Sequence, residues 1–537
     1  MLMYKPRVFT ILLAITLSLL YVVATASIAK NSSLVQEDTD RGVCARPLDD
    51  GVTGLPENET SAEQASLNSE ASGPRALITN ITFIGNSIIS DVELSVLLEG
   101  CLGKTYDFEG LLNLAKHVTN YYRQKKFPFA TAIFPPQTLT KGRVIIRIIE
   151  GQYGTVKTSG EEDIASPAAD FLYRLNSGNV ISEDLLNRTI LIMEELPGIS
   201  VKPTIAAGEK QGLGDLDVLV TKDKPWAGSI SIDNHGEKST GLNPISLNLA
   251  TSNVDVFGDS LSISAIQANE NLTSVDLKYD RPLGFSGARM GIEATKSQYN
   301  LGADFVGFSG DITKFTTTLS YPFILTPERK LRGSFNHNLT RKHQFFENAM
   351  TDDIHLSGFD LGLEFEQLYE SKSGRSTKSS LRLAFDDFES ALNSEDTQKY
   401  RYLTGWLLHR EPINDQIIAS VAWSFQNSSD QKSHSLNTYS LGGPNNIRAY
   451  SSDEISGPSG YYTSLELSYN QENMNSFVFY DFGEVSASSG EDGKSLEGAG
   501  LEYAPNFKNC IQKLCLPFRL KVLKQKKMIQ SYGYVLR

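Results

Sequence analysis

The tightest constraint on this 537-residue chain is a change of period. From Trp226 onward helical spacing disappears, and apolar residues recur at every second position in segment after segment. In FDLGLEFE, Phe359, Leu361, Leu363 and Phe365 share one face, and Asp360, Gly362, Glu364 and Glu366 share the other. ISIDN, SLSISAI, SVDLKYD, ASVAWSF and YTSLELSY behave alike. About 16 such segments, commonly near ten residues, are separated by turns that alternate between short and long. A soluble sandwich also alternates. An even run of strands with one lipid-compatible and one charged face instead fits a closed sheet, because hydrocarbon offers no partner to a free edge. The pattern predicts a mainly β chain in which residues 225–537 form a 16-stranded transmembrane antiparallel β-barrel.

What precedes the barrel differs in kind. Lys5 and Arg7 flank an apolar run, Val8 to Val23, and Ala24-Thr25-Ala26 has the small-x-small form of a cleavage site. Residues 1–26 therefore read as an export signal, although a cut after Ala29 also fits. Residues 27–76 are polar and poor in large hydrophobes, as in an arm or linker. Two small α/β units follow, over 77–151 and 152–224. In the first, NITFIGN is a strand and turn, Asp91 to Leu98 a short helix, and Phe108 to Lys125 a longer one. Leu111, Leu114, Ala115, Val118 and Tyr122 form one stripe of that longer helix. FATAIF and RVIIRIIEG then alternate as strands. The second unit repeats the order: YGTVKT, helices around Ala168 to Leu175 and Ser182 to Glu195, then ISVKPTIA and LDVLVTK.

Chemistry-bearing patterns are sparse. Net charge is -13, which gives a nucleic-acid role no electrostatic support. The seven histidines show no metal-ligand spacing. No nucleophile elbow, zinc-protease or phosphate-loop motif appears, so neither an enzyme nor a cofactor is expected. Cys510 and Cys515 are close enough for a local disulfide, and Cys44 and Cys101 could pair or stay free.

One loop stands out. LGGPNNIRAY sets Ile447-Arg448-Ala449-Tyr450 among the turn formers Gly442, Gly443, Pro444, Asn445 and Asn446. In SFVFYDFGEV, alternation sends Val478, Tyr480 and Phe482 to one face and Phe477, Phe479, Asp481 and Gly483 to the other. The first set suits lipid, which places Asp481 in the lumen. A long loop folded inward would let Arg448 make a planar two-bond pair with that carboxylate.

From Leu77 onward the chain resembles the outer-membrane transporters of two-partner secretion (TpsB), the haemolysin activation and secretion family. FIGNSIISDVEL, LAKHVTNYYRQKKFPFATAIFPPQ and GRVIIRIIEG resemble the first polypeptide-transport-associated (POTRA) domain of that family, including Pro135-Pro136-Gln137 and the Glu150-Gly151 exit. SIDNHGEKSTG and NLATSNVDVFGDSLSI resemble its first hairpins, LGGPNNIRAY its long sixth loop, and FYDFG a later strand motif. Three features depart from the family. Ala449 stands where the loop usually has glycine, which costs about 1 kcal/mol or more if φ is positive. The arm over 27–76 matches the family's pore-plugging helix poorly. The chain ends in SYGYVLR rather than on an aromatic residue.

The resemblance implies an outer-membrane pore of a Gram-negative cell, with both POTRA domains in the periplasm, that secretes a large β-rich exoprotein without ATP. Partners implied are that exoprotein, outer-membrane lipid and, during biogenesis, the barrel-assembly machinery and periplasmic chaperones. A barrel insertase and a passive porin or adhesin are the alternatives. An extended cargo could add to an exposed sheet edge. The candidate edges are Phe129, Ala130, Ala132 and Phe134 in the first unit, and Val201 and Ile205 in the second.

Overall fold

The computed structural model describes residues 75–505, apart from 233–235, 237–238, 270, 370–373, 393–396, 430–435, 472–473 and 487–492. The signal, the arm and the C-terminal segment from 506 lie outside the described residues. The chain divides into two compact units. The first runs to Gly154 and adds Ser177–Glu183 and Ala207–Gly214; the second takes Thr155–Asn176, Asp184–Ala206 and everything from Asp215.

In the first unit, β1 (Ala76–Leu77) and β3 (Thr105–Tyr106) form a ribbon, and β2 (Asn80–Ile84), β5 (Arg143–Ile149) and β4 (Thr131–Ile133) form a sheet in that order. β2 and β5 run parallel, so a crossover must join them. Helices α1 (Asp91–Leu98) and α2 (Phe108–Gln124) supply it. Ser90 and Asp107 cap them by accepting from the N–H groups of Glu93 and Gly110. The α2 stripe is buried as read, against Ile78, Leu94, Leu98 and Ile146. Each buried leucine or valine of the stripe contributes about 1.5–3 kcal/mol.

Three of the motif residues have structural duties. The Glu150 carboxylate, 5% exposed, accepts from the Ser87 hydroxyl, from the N–H groups of Ser87 and Ile88 at 2.8 Å each, and from the Tyr122 hydroxyl at 2.8 Å. Burial works to raise its pKa, but these bonds together outweigh it and hold the carboxyl below its ordinary range. Gly151 follows with φ 65°, where a Cβ would meet the Phe129 carbonyl oxygen at 2.6 Å. Gln137 stands in for a strand: its amide nitrogen donates to the Ile145 carbonyl at 2.7 Å and its oxygen accepts from the Ile145 N–H at 2.8 Å. Pro135 and Pro136 have no N–H to offer, so the side-chain amide continues the pairing of β5.

The second sheet has the order β6 (Gln152–Gly160), β8 (Leu213–Lys222), β7 (Ile199–Ala207), with helices α3 (Glu162–Ala169) and α4 (Glu183–Glu194). α3 begins earlier than the sequence suggests. Pro167 reads as a helix start or stop, yet it lies inside α3, whose Ile164, Ala165 and Ala168 are buried.

An antiparallel sheet of 14 strands follows. It comprises β9 (Trp226–Ile232), β10 (Pro244–Ser252), β11 (Ser260–Ala268), β12 (Leu272–Pro282), β13 (Arg289–Asn300), β14 (Phe308–Leu325), β15 (Arg329–Phe346), β16 (Ala349–Leu368), β17 (Ser376–Ser390), β18 (Thr397–Pro412) and β19 (Ile417–Ser428). A small ribbon of β20 (Tyr439–Leu441) and β21 (Ile455–Gly457) intervenes. β22 (Gly460–Gln471), β23 (Met474–Val485) and β24 (Lys494–Pro505) complete the described sheet. Fourteen strands are described against the 16 expected over 225–537. In β16, Phe359, Leu361 and Leu363 point outward and exposed, whereas Asp360 is 4% exposed and accepts from the Asn336 and Asn338 amides at 2.7 and 3.0 Å. Among the described residues no helix is long and apolar enough to cross a membrane.

Within this second unit, α4 and the segment after it meet the short turns of the sheet. Arg188 donates to the Pro322 carbonyl at 2.7 Å and lies over the Tyr321 ring. Glu195 accepts from Lys330 at 3.1 Å and Arg332 at 2.7 Å. Phe171 packs edge-on against Phe285 at 5.1 Å.

Candidate functional site

Between β19 and β22, β20 and β21 form a hairpin of their own, with residues 442–454 as its tip. Gly442 and Gly443 adopt φ 110° and 105°, which only glycine takes without strain. The Asn446 side-chain oxygen accepts from the N–H groups of Gly442 at 2.7 Å and Ile447 at 2.6 Å, and the Gly443 N–H donates to the Tyr450 carbonyl at 3.1 Å. These bonds pinch the tip and project Arg448 from it.

Arg448 lands on β22 and β23. Its Nε and Nη2 donate to the two oxygens of Asp481, both at 2.9 Å, and its backbone N–H donates to the same carboxylate at 3.1 Å. Nη1 donates to Glu466 at 2.6 Å and Nη2 to the Ser464 hydroxyl at 3.0 Å; that hydroxyl in turn donates to Asp481 at 2.7 Å. The guanidinium lies 3.6 Å above the Phe479 ring centroid. Asp481 is 0% exposed and Phe479 5%, while Val478 is 54% exposed on the opposite face, as alternation requires. A buried carboxylate stripped of a partner like this costs on the order of 3–5 kcal/mol.

Apolar contacts seat the rest of the tip. Leu441, Ile447, Ala449 and Tyr450 are buried with Tyr462, Val485 and Leu496, and the Tyr450 hydroxyl donates to the Glu497 carbonyl at 3.1 Å. A Cβ on Gly483 would lie 2.9 Å from Leu441 and 3.3 Å from Ile447, so glycine there makes room for the loop. Ala449 is absent from the residues with positive φ, so the left-handed cost anticipated for it does not arise. Its methyl group fills the gap over Gly498 instead, where a second Cβ would lie 2.5 Å away.

Sequence reasoning missed Glu466 and Ser464. Alternation in YTSLELSY already sets both opposite the exposed Leu465 and Leu467. What was lacking is the register, which pairs Ser464 with Asp481 and Glu466 with Phe479.

Other candidate residues fare differently. Phe129 is 43% exposed, but Ala130 and Ala132 are buried. The Ala130 N–H donates to the Phe127 carbonyl at 3.2 Å and that of Ala132 to the Thr119 hydroxyl of α2 at 2.9 Å. Those two donors are therefore taken within the unit, and β4 is three residues long rather than the six expected over Phe129 to Phe134. β7, with Val201 and Ile205 half-buried, lies at the edge of its sheet, consistent with Pro203 inside it. Cys101 is disulfide-bonded, and Cys44, Cys510 and Cys515 lie outside the described residues.

The chain is similar to proteins of known family and fold. The family model for the haemolysin secretion/activation protein ShlB/FhaC/HecB matches residues 212–504, and that for the ShlB-type POTRA domain matches 76–151. The heme/hemopexin transporter protein HuxB of Haemophilus influenzae is 25% identical over 418 residues, covering 74% of this chain and 73% of that protein. The outer membrane transporter CdiB of Escherichia coli is 21% identical over 439 residues, covering 78% and 72%. The structure of CdiB from Escherichia coli superposes with a TM-score of 0.68 at 18% identity, over 94% of this chain and 97% of that one. CdiB from Acinetobacter baumannii gives 0.61 at 16%, over 92% and 96%. A barrel of this fold behind a POTRA domain, with the family model spanning more than half of the sequence, makes the chain a member of the haemolysin secretion/activation family: an outer-membrane transporter, its POTRA domains periplasmic, that secretes a partner exoprotein.

Proposed function

We propose that the chain carries one large β-rich polypeptide outward through its lumen, with the Arg448 loop as the element that must shift to let it pass. Residues 1–26 direct export, and the domains over 77–151 and 152–224 receive the unfolded cargo, chiefly along the open edge of β7. Cargo folding outside the cell supplies the drive, so no nucleotide and no catalytic step is assigned. Lipid surrounds the barrel, and assembly machinery and chaperones deliver it. The carrying observation is the tip: Arg448, on a loop, is held against Asp481, Glu466, Ser464 and Phe479 of the barrel wall.

The test replaces Arg448 by Ala and by Lys in producing cells and compares the proteins of the culture medium. With Arg448→Ala a large secreted protein should be lost while heat-modifiable barrel persists in the outer membrane. Arg448→Lys should rescue poorly, because an ammonium cannot make the planar fork. Normal secretion by Arg448→Ala would overturn the assignment.

A further inference from the structure

The loop that carries Arg448 touches the wall at a second place, on strands other than the two that hold the tip. Just before β20, the Asn437 side-chain amide donates to Asp386 of β17 at 3.1 Å, and the Tyr402 hydroxyl of β18 donates to the same oxygen at 2.9 Å. The Asn437 carbonyl accepts from the Gln426 amide of β19 at 2.8 Å. That same amide nitrogen donates to the Pro458 carbonyl, just after β21, at 3.0 Å. One wall glutamine therefore grips both legs of the hairpin at its root. Asp386 and Gln426 are 5% and 8% exposed, on strands that take no part in the Arg448 cluster.

The two contacts differ in chemistry. The tip is a charge-to-charge fork. At the root, neutral donors from Tyr402 and Asn437 meet a carboxylate, a charge-assisted contact that lacks the second charge and the planar fork. A carboxylate buried in a barrel wall needs such donors, or it remains a desolvated charge.

We infer that Asp386, Tyr402, Gln426 and Asn437 form a second clasp, which holds the root of the loop in the lumen independently of the tip. Loosening either point makes the loop leave the lumen more often, and loosening both does so most. This rests on the loop being the moving element of export, and the test separates the two claims. Purified full-length protein is placed in planar lipid bilayers with KCl as the conducting probe. Asn437→Asp sets a second carboxylate against Asp386 and should raise open probability several-fold. Asp386→Asn combined with Asn437→Asp should return it to wild type, because the new amide can donate to the new carboxylate. Arg448→Ala joined to Asn437→Asp should give about the product of the single effects, as two independent holds require. Position 437 lies in the loop, so the barrel persists; should Asn437→Asp fail to assemble, Asn437→Ala serves in its place. Wild-type conductance in the position-437 variant, or no rescue by Asp386→Asn, overturns the clasp. If Arg448→Ala conducts more while the 437 variant does not, the clasp alone fails; if only Arg448→Ala is silent, the gating role of the tip fails and the clasp stands.

Discussion

Glu150 is buried among hydroxyls and backbone N–H groups, and this gives the first unit a definite acid response. Its carboxyl is held below the ordinary range, so its contribution is complete above that range and is lost as pH falls through the lowered value. Protection factors at the Ile88 and Tyr122 amides, with the intrinsic pH dependence of exchange divided out, should therefore fall on acidification. In Glu150→Gln protection should be weaker already at neutral pH, by about 1–3 kcal/mol, and nearly flat with pH, because the amide turns one acceptor into a donor facing donors. Such a role was only half legible. The Glu150-Gly151 pair was visible as a motif, but its partners Ser87 and Tyr122 come from elements that only folding brings together. Arg448 was more legible, because period-2 alternation fixes the face of Asp481 without knowledge of the register. The register adds a constraint: exchanging the charges, Arg448→Asp with Asp481→Arg, should recover little secretion, because Glu466 would then face the new aspartate.

At the scale of elements, the loop tip and β24 are fitted to each other by one methyl group. Gly498→Ala brings a Cβ to within 2.5 Å of the Ala449 Cβ, and overpacking of this kind costs about 1–3 kcal/mol. Protease cleavage of the loop in intact cells should increase. Adding Ala449→Gly should reverse the increase, whereas Ala449→Gly alone should gain nothing, since no positive φ is relieved there. The short strand β4 carries a second expectation. Ala132→Pro removes the donor to Thr119 and should unfold the first unit in circular dichroism, at about 1–3 kcal/mol, rather than spare the fold and weaken cargo binding alone. Alternation identified β4 as a strand; it could not reveal that α2 covers the free side of Ala132, because Thr119 reads as an ordinary helix residue.

Across the whole chain, the mainly β architecture was legible because a lipid-facing sheet repeats one rule over many strands, so local errors average out. How α4 meets the turns of the barrel was not legible, because ion pairs between distant segments leave no periodic trace. Glu195 shows this: partly exposed, it bridges Lys330 and Arg332. Glu195→Lys should set three cations together and speed hydrogen exchange in α4, with the difference shrinking at high salt. A further consequence belongs to the loop. It is joined to strands at both ends, at Ser428 and Gly460. Whatever displaces Arg448 cannot carry it away. A guanidinium on so short a tether stays near its carboxylate at an effective concentration of roughly millimolar or above. Once the last of a cargo has left, reseating is a first-order event that needs no second molecule, and the membrane's permeability barrier recovers at a rate independent of how many transporters the cell holds.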